Sequence, residues 1–212
     1  MIVSHVFVLR TCLVQIKGCK MKLDKKNRLI SAAIEAFNEK GLEQTKIADI
    51  VKIAGVAQGT YYLYFPSKLA IMPAIAEVVV VKNIAELHQG MDSTLPYSEQ
   101  LNQLIEISFS ITEKYADVIA LTYAGLASSE HLNEWEKIYE PYYLYVTDFL
   151  EQGIAKESIT AKMNPKATAR LLIGLIENAA EQLYLYAETD DTAVEDQKEE
   201  VYQFAKRALG II

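Results

Sequence analysis

Two short helical stretches separated by only three residues place the strongest constraint on how this chain can fold. The segment 45–68 reads TKIADIVKIAGVAQGTYYLYFPSK. Thr45 can cap the first stretch, in which four apolar side chains recur at helical spacing: Ile47, Ile50, Val51 and Ala54. Gly55 can take the positive φ of a tight corner, and a second helix starts near Ala57. Two helices joined in this way form a helix-turn-helix, whose second helix can enter the major groove of DNA.

The second short helix carries side chains suited to contacts with DNA. Gln58 can pair with adenine through two hydrogen bonds, and Thr60 can contact a base edge, a thymine methyl or a phosphate. Gly59 lacks a side chain and so permits close approach, while the helix N-termini at 45–46 and 67–68 attract phosphate. The residues predicted to contact DNA are Thr45, Lys46, Gln58, Gly59, Thr60, Tyr62, Tyr64 and Lys68.

Some residues of the same stretch favour a structural interpretation. Tyr61 and Phe65 fall where the short helix must pack on its neighbours, so we expect them in the core. Lys46 and Lys52 can also be solvated positions without a partner. The lysines at 22–26 can be no more than a frayed helix start.

Residues 24–70 resemble the DNA-binding domain of the TetR family of bacterial repressors. The shared pattern is a first helix, Gly41, Thr45, a short helix, Ala-Gly-Val, x-Gly-Thr, two aromatics, Tyr64, Phe65 and Lys68. The resemblance implies that the predicted contacts are made to double-stranded operator DNA. It also implies that a basic arm and the edge of the first helix face the DNA backbone, through Lys22, Lys25, Lys26 and Arg28.

Charge is divided unevenly along the chain. Its 212 residues carry 21 Lys and Arg against 28 Asp and Glu, so the net charge is −7. Residues 1–20 carry three basic residues and no acidic one, and residues 21–70 carry eight basic and five acidic. Residues 71–212 carry ten basic and 23 acidic. A basic head that can meet a polyanion therefore precedes an acidic body.

The first twenty residues are predicted to be an extension outside the fold, with Met21 opening the folded protein. The stretch is too short, and too interrupted by Arg10 and Lys17, to span a membrane, and it lacks the features of a secretion signal. Cys12 and Cys19 both fall within it. Neither a disulfide nor a cysteine-based zinc site is then available to the rest of the chain, so we expect a cytoplasmic protein without a membrane partner.

Helical periodicity continues through the remainder and predicts an all-α fold of about nine helices. They lie near 24–40, 46–53, 57–63, 67–88, 98–113, 116–127, 130–152, 164–187 and 192–209. Ser67 is expected to cap the fourth, and Pro73 to kink it, as a hinge or as a harmless bend. The predicted domains are a helix-turn-helix DNA-binding domain at 21–66 and a helical effector-binding and dimerisation domain at 67–212.

The aromatic residues of the second domain divide into two groups. One forms a seam at helical spacing and is predicted to be core: Trp135, Tyr139, Tyr142, Val146 and Phe149. The other is predicted to line a pocket for a small hydrophobic or aromatic effector: Phe109, Tyr115, Tyr123, Tyr143, Tyr145 and Tyr184. Glu106 and Glu177 fall near apolar neighbours, where they can meet a cationic effector or lie on a solvated face.

The family resemblance also implies a homodimer formed by the last two helices across a two-fold axis. The helix near 164–187 is apolar on most of its circumference, as expected when it meets both a core and a partner. The candidate interface residues are Gly174, Ala180, Phe204 and Leu209. A polar stripe on the first of these helices is interpreted as a solvated or rim face: Arg170, Glu177, Glu181 and Glu188.

No catalytic arrangement is found in the sequence. The histidines are scattered, and only His131 and Glu134 approach the spacing of metal ligands. Phosphate-binding glycine loops and nucleophile elbows are absent. We therefore predict no enzyme, no metal and no cofactor, but a homodimeric repressor that a small-molecule effector releases from its operator. The alternative is a ligand-independent DNA-binding protein of the same fold.

Overall fold

The computed structural model describes residues 24–127, 132–186 and 191–211. The predicted extension at 1–20, both cysteines and Lys22 lie outside these residues. Nine α-helices form the regular structure of the described part, which confirms the all-α prediction. They are α1 (24–40), α2 (Ile47–Ala54), α3 (Gln58–Tyr62), α4 (Met72–Gly90), α5 (Tyr97–Lys114), α6 (Ala116–Ala127), α7 (Leu132–Ala155), α8 (Pro165–Tyr184) and α9 (Asp191–Leu209). Within the described ranges, none of these helices is long and apolar enough to cross a bilayer.

Two compact units divide the chain, one ending at Met72 and the other spanning Pro73–Ile212. In the first unit, α1, α2 and α3 enclose a core of their own. Its side chains are almost completely removed from solvent: Leu29, Ala33, Phe37, Ile50, Val51, Tyr61 and Phe65. Helices as short as α2 and α3 are marginal in isolation, so burial of this shared core supplies most of their stability.

The core of the second unit lies among α5, α7, α8 and α9, and α8 packs against the other three. Four members of the predicted aromatic seam are buried there, as expected: Tyr139, Tyr142, Val146 and Phe149. The side chain of the fifth, Trp135, lies outside the described residues. An isolated bridge between Ile159 and Ile211 joins the α7–α8 connection to the end of α9.

The start of α4 differs from the prediction. A 3-10 turn at Leu69–Ile71 precedes α4, and the Ser67 hydroxyl accepts a hydrogen bond from the Ala70 N–H at 3.3 Å. Pro73 is consequently the second residue of α4, where a helix requires no N–H donor. The predicted kink six residues into a longer helix is therefore wrong, because the chain changes from 3-10 to α geometry just before the proline.

Candidate DNA-binding surface and interior cavity

A left-handed glycine fixes the corner between α2 and α3. Gly55 has φ 63° and ψ 40°, a conformation that strains residues with a side chain. Its N–H donates to the Lys52 carbonyl at 3.3 Å, and the Val56 N–H donates to the Val51 carbonyl at 3.0 Å. These bonds satisfy the carbonyls at the end of α2 and turn the chain toward α3 within three residues.

Arg28 of α1 holds the same corner. Its guanidinium donates to the carbonyl of Ala54 and, at 3.4 Å, to that of Gly55. A positive charge at the C-terminal end of a helix also interacts favourably with the helix dipole. Arg28 was expected to face the DNA backbone, but these contacts engage it within its own unit.

The first turn of α2 is capped by a carboxylate. Asp49 accepts hydrogen bonds from the Lys46 N–H at 2.9 Å and from Lys40 Nζ at 2.6 Å. The bond from Lys40, followed by the bond from Lys46, holds the pKa of Asp49 below its ordinary value. The prediction that Thr45 caps this helix is wrong, because the N-cap residue is Lys46.

Thr45 and Lys68 are engaged inside the first unit. Thr45 is 1% exposed, and its single O–H lies within hydrogen-bond distance of the carbonyls of Gly41, at 2.7 Å, and Ala36, at 3.0 Å. The ammonium of Lys68 donates to three carbonyls: Leu42 at 2.7 Å, Thr45 at 3.1 Å and Glu43 at 3.3 Å. An ammonium has three donors, so these bonds occupy all of them. Because these bonds already occupy the donors of Thr45 and Lys68, we do not include either side chain among the proposed DNA contacts.

In α3, neighbouring tyrosines have opposite environments. Tyr61 is fully buried, with its ring centroid 5.5 Å from that of Phe65, so both belong to the core as predicted. The single O–H of Tyr61 is shared between the carbonyls of Ser67 and Lys68, each 3.2 Å away. Tyr62 is 50% exposed. The other predicted contact positions that remain exposed or half-buried are Lys46, Gln58, Gly59, Thr60 and Tyr64.

A cavity lies inside the second unit, lined by α4, α5, α6, α7 and α8. The cavity encloses about 30 Å³. The apolar part of its lining comprises Ala76, Val79, Val80, Ile111 and Ile119. The polar part comprises Asn83, Thr112, Thr122, Tyr123, Tyr139, Tyr142, Glu177 and Glu181.

Two carboxyl groups one helical turn apart on α8 line this cavity. Tyr139 donates a hydrogen bond to Glu177 at 3.3 Å, and Tyr123 donates one to Glu181 at 2.5 Å. Burial, with an added contribution from the charge of Glu181, raises the pKa of Glu177 to about 8, although the bond from Tyr139 opposes the rise. Burial also raises the pKa of Glu181, against the bond from Tyr123. Glu177 is therefore largely protonated near neutral pH.

Asn83 of α4 adds an acceptor to the same cavity. It is 5% exposed, and its Oδ1 has no hydrogen-bond partner within the described part of the chain. Buried side-chain acceptors are satisfied in the large majority of cases, because leaving one unpaired costs free energy. Asn83 therefore marks a position suited to a hydrogen-bond donor.

Both units match known protein families. Residues 29–75 match the bacterial regulatory proteins of the tetR family, and residues 101–209 match the tetracyclin repressor-like C-terminal domain. The uncharacterized HTH-type transcriptional regulator YvdT of Bacillus subtilis is 42% identical over 191 residues, covering 90% of this chain and 98% of that protein. The chain belongs to the TetR family. It is a transcriptional regulator and not an enzyme.

Solved structures show the same TetR fold. The fatty acid degradation regulator FadR from Bacillus halodurans has a TM-score of 0.70 at 21% identity, covering 85% of this chain and 94% of that one. FadR from Bacillus subtilis in complex with stearoyl-CoA has a TM-score of 0.61 at 22% identity, covering 86% and 95%. At these identities the likeness establishes the fold alone.

Of the six predicted pocket aromatics in this TetR-family chain, only Tyr123 lines the cavity. The other five lie elsewhere. Tyr145 meets the ring of His88, and both line a separate hollow between α4 and α7. The remaining four line neither hollow: Phe109 is in the core, Tyr115 lies under the Lys114 ammonium, Tyr143 faces the Arg170 guanidinium, and Tyr184 is half-buried against the core. Two tyrosines assigned to the core seam, Tyr139 and Tyr142, are the ones that join Tyr123 in the lining. The aromatic content of the sequence alone did not show which tyrosines line the same cavity.

The polar stripe on α8 was predicted to be a solvated or rim face, and this is wrong for two of its glutamates. Glu177 and Glu181 face the cavity, whereas Arg170 is exposed and bonded to Glu136 at 2.5 Å. Glu188 lies outside the described residues, and Glu106 is paired with Lys198 at 2.8 Å. Two glutamates one turn apart, in a helix that is otherwise mostly apolar, were the sequence feature that could have indicated a polar site in the interior. Asn83, in the apolar run VVVVKNIA, was a second such signal.

The predicted dimer residues divide into two pairs. Ala180 and Leu209 are buried in the core of their own unit, so their assignment to a partner interface is wrong. Gly174 is exposed, and Phe204 is 59% exposed. Leu171, which the prediction did not include, is 74% exposed on α8.

Proposed function

We propose that this TetR-family regulator is a homodimeric repressor whose α3 helices bind a palindromic operator, and that a small-molecule effector releases it. The observation that carries the proposal is the α2–α3 corner. Arg28 and the left-handed Gly55 hold the corner in place, while Gln58, Gly59 and Tyr62 on α3 remain accessible. A rigid corner that presents a short helix is what major-groove recognition requires.

The contact set that we propose is smaller than the predicted one. It comprises Lys46, Gln58, Gly59, Thr60, Tyr62 and Tyr64. Gln58 and Thr60 would read base edges, and the tyrosine hydroxyls and Lys46 would bind phosphates. Two such helices would enter successive major grooves roughly 34–36 Å apart. As a DNA-binding regulator, the protein would act in the cytoplasm.

The proposed dimer uses the exposed face of α8 and α9. Leu171 and Phe204 are large apolar side chains that their own unit leaves exposed. At Gly174, an added Cβ would meet no atom within 4 Å, so a partner helix can approach the backbone closely. Exposed apolar groups on two packed helices are typical of a surface that another chain covers.

The cavity favours an effector-dependent regulator over the ligand-independent alternative. A buried hollow lined by valines, isoleucines and tyrosines is suited to a small apolar or aromatic molecule. One structural relative binds stearoyl-CoA. This cavity is poorly suited to that ligand, because a long acyl chain needs a continuous apolar channel and the lining contains two carboxyl groups.

The proposal is tested by selecting DNA with the purified protein from a random-sequence duplex pool and titrating the selected duplex by fluorescence anisotropy. Tyr62→Ala should weaken binding about tenfold, whereas Tyr186→Ala, at an exposed tyrosine of the second unit, should not. Affinity should fall steeply between about 50 and 200 mM salt, since phosphate contacts release counterions. Failure to enrich any sequence, or equal effects of the two substitutions, would contradict the proposal.

A further inference from the structure

The cavity of the second unit combines an excess of hydrogen-bond acceptors with an absence of positive charge. Glu177, Glu181 and Asn83 supply two carboxyl groups and one amide oxygen. Among the residues that the structure describes, no Lys, Arg or His lines the cavity, and neither glutamate has an ion-pair partner. Buried carboxylates in proteins are ordinarily paired with a cation or neutralised by a proton.

The hydrogen bonds inside the cavity leave acceptor capacity unused. Tyr139 and Tyr123 each donate one bond, both to an Oε1 atom, the first to Glu177 and the second to Glu181. An ionised carboxylate can accept about four hydrogen bonds. With the unpartnered Oδ1 of Asn83, the cavity therefore retains acceptor positions on three of its lining side chains.

From this arrangement, we propose that the effector carries a primary ammonium group, which binds between Glu177 and Glu181 and donates to Asn83 Oδ1. The apolar or aromatic remainder of the molecule lies along Val79, Val80 and Ile111. That the ligand acts as an effector rests on the proposed function, whereas the recognition of an ammonium rests on the cavity alone.

Size and wall chemistry agree with this ligand class. The enclosed space of about 30 Å³ is large enough for a small polar head, so the rest of the ligand must extend beyond it. Tyrosine rings also favour a nearby cation, because the ring face carries negative potential. A carboxylate or phosphate ligand would instead meet two acidic groups and gain no ion pair.

Three soluble probes of one shape test the inference: benzylamine, benzyl alcohol and benzoate. Calorimetric titration of the full chain near pH 7 should show benzylammonium binding at least about tenfold more tightly than benzyl alcohol, with no binding of benzoate. Benzylammonium binding should also release a proton, seen as a dependence of the heat on the buffer, because Glu177 must ionise to pair with the cation.

Substitutions separate the site from nonspecific attraction to an acidic protein. Glu177→Gln with Glu181→Gln should abolish the preference for benzylammonium, whereas Glu151→Gln, which removes an exposed charge on α7, should retain it. Asn83→Leu should weaken benzylammonium more than benzyl alcohol. Equal affinity for the amine and the alcohol, or an unchanged preference in the double variant, would overturn the inference.

Failure of this inference can be distinguished from failure of the proposed function. A wild-type protein that binds its selected duplex but shows no preference for the amine contradicts only the ligand class. A protein that prefers the amine but enriches no DNA contradicts only the proposed repressor. Thermal unfolding of the double variant checks its fold, and replacement of two buried acids by amides should not lower its stability.

Discussion

Lys68 shows how one side chain can hold an irregular segment in place. Its ammonium collects the carbonyls of Leu42, Glu43 and Thr45 at 2.7 to 3.3 Å, in the loop between α1 and α2. Loop carbonyls have no helical partner, and bonds to a charged donor are stronger than bonds between neutral groups. The position of the α2 N-terminus therefore depends on a residue that follows α3.

We expect Lys68→Met to destabilise the protein by about 2 kcal/mol, because three carbonyls lose a charged donor. Chemical denaturation measures this loss, and amide hydrogen exchange shows whether it is localised to α2 and α3. Lys52→Met is the matched control, since Lys52 is exposed on α2 and should alter stability by less than about 0.5 kcal/mol. Unchanged stability in Lys68→Met, together with weaker DNA binding, would favour a phosphate contact instead.

Glu177 makes the stability of the second unit depend on pH. Its folded pKa, about 8, lies above the ordinary 4.5, so the folded state retains a proton that the unfolded state loses between these values. The free energy of unfolding must then decrease as pH rises from about 4.5 to about 8. The groups that face Glu177 are Glu181 on α8, Tyr123 on α6, and Tyr139 and Tyr142 on α7. The three tyrosines have raised pKa values and stay neutral through this range.

Glu177→Gln should remove most of this dependence. Relative to wild type, the variant should gain on the order of 2 kcal/mol between about pH 5 and about pH 8.5, allowing for partial solvation of the carboxyl. Denaturation at several pH values measures the difference, and Glu151→Gln serves as the control because its carboxyl is exposed. Parallel pH profiles for wild type and Glu177→Gln would contradict a raised pKa at this position.

At the scale of elements, the α2–α3 corner contains two glycines with different tasks. Gly55 is left-handed, and a Cβ there would lie 2.9 Å from Arg28 Nη2. Gly59 lies within α3, where a Cβ would meet no atom within 4 Å. The first glycine is therefore required by the fold, while the second leaves open space on the surface proposed to meet DNA.

Substitution of each glycine by alanine separates these tasks. Gly55→Ala should lower stability by about 1–2 kcal/mol because of its positive φ. Gly59→Ala should raise stability by up to about 1 kcal/mol, since alanine favours helix, yet weaken operator binding by adding a methyl group to the approaching surface. Thermal unfolding and anisotropy measured on both variants provide the check. A Gly59→Ala protein that binds DNA as tightly as wild type would contradict close approach at this helix.

The predictability of these elements follows from how local their causes are. The α2–α3 corner was predictable because Gly55 and the apolar spacing of α2 lie within a dozen residues of each other. The roles of Thr45 and Lys68 were not, because their partners are set by packing against α1 and its following loop. The same limit applied to Glu177 and Glu181, since helical spacing placed them on one face but could not show that α4 and α6 enclose it.

At the scale of the whole molecule, the distribution of charge is more informative than its sum. The net charge of −7 alone argues against a nucleic-acid partner, but residues 71–212 hold 23 of the 28 acidic residues. Of these acids, Glu177 and Glu181 lie in an interior cavity and contribute little to the outer surface. The basic first unit is thus the part of the chain suited to meet a polyanion.

Symmetric recognition of a palindrome requires two copies of the first unit, one from each chain of a dimer. We expect the two chains to join through the exposed face of α8 and α9. Phe204→Glu should convert the dimer to a monomer, because a buried charge without a partner is costly at an apolar interface. Sedimentation velocity measures the mass, and circular dichroism should show an unchanged helical content, since Phe204 is 59% exposed in its own chain. Leu144→Glu alters a comparably exposed residue of α7 and should remain dimeric. The monomer should also bind the selected duplex at least about a hundredfold more weakly, because each palindromic half-site is then bound without the linkage to the other. A Phe204→Glu protein that sediments as a dimer would place the interface on another surface.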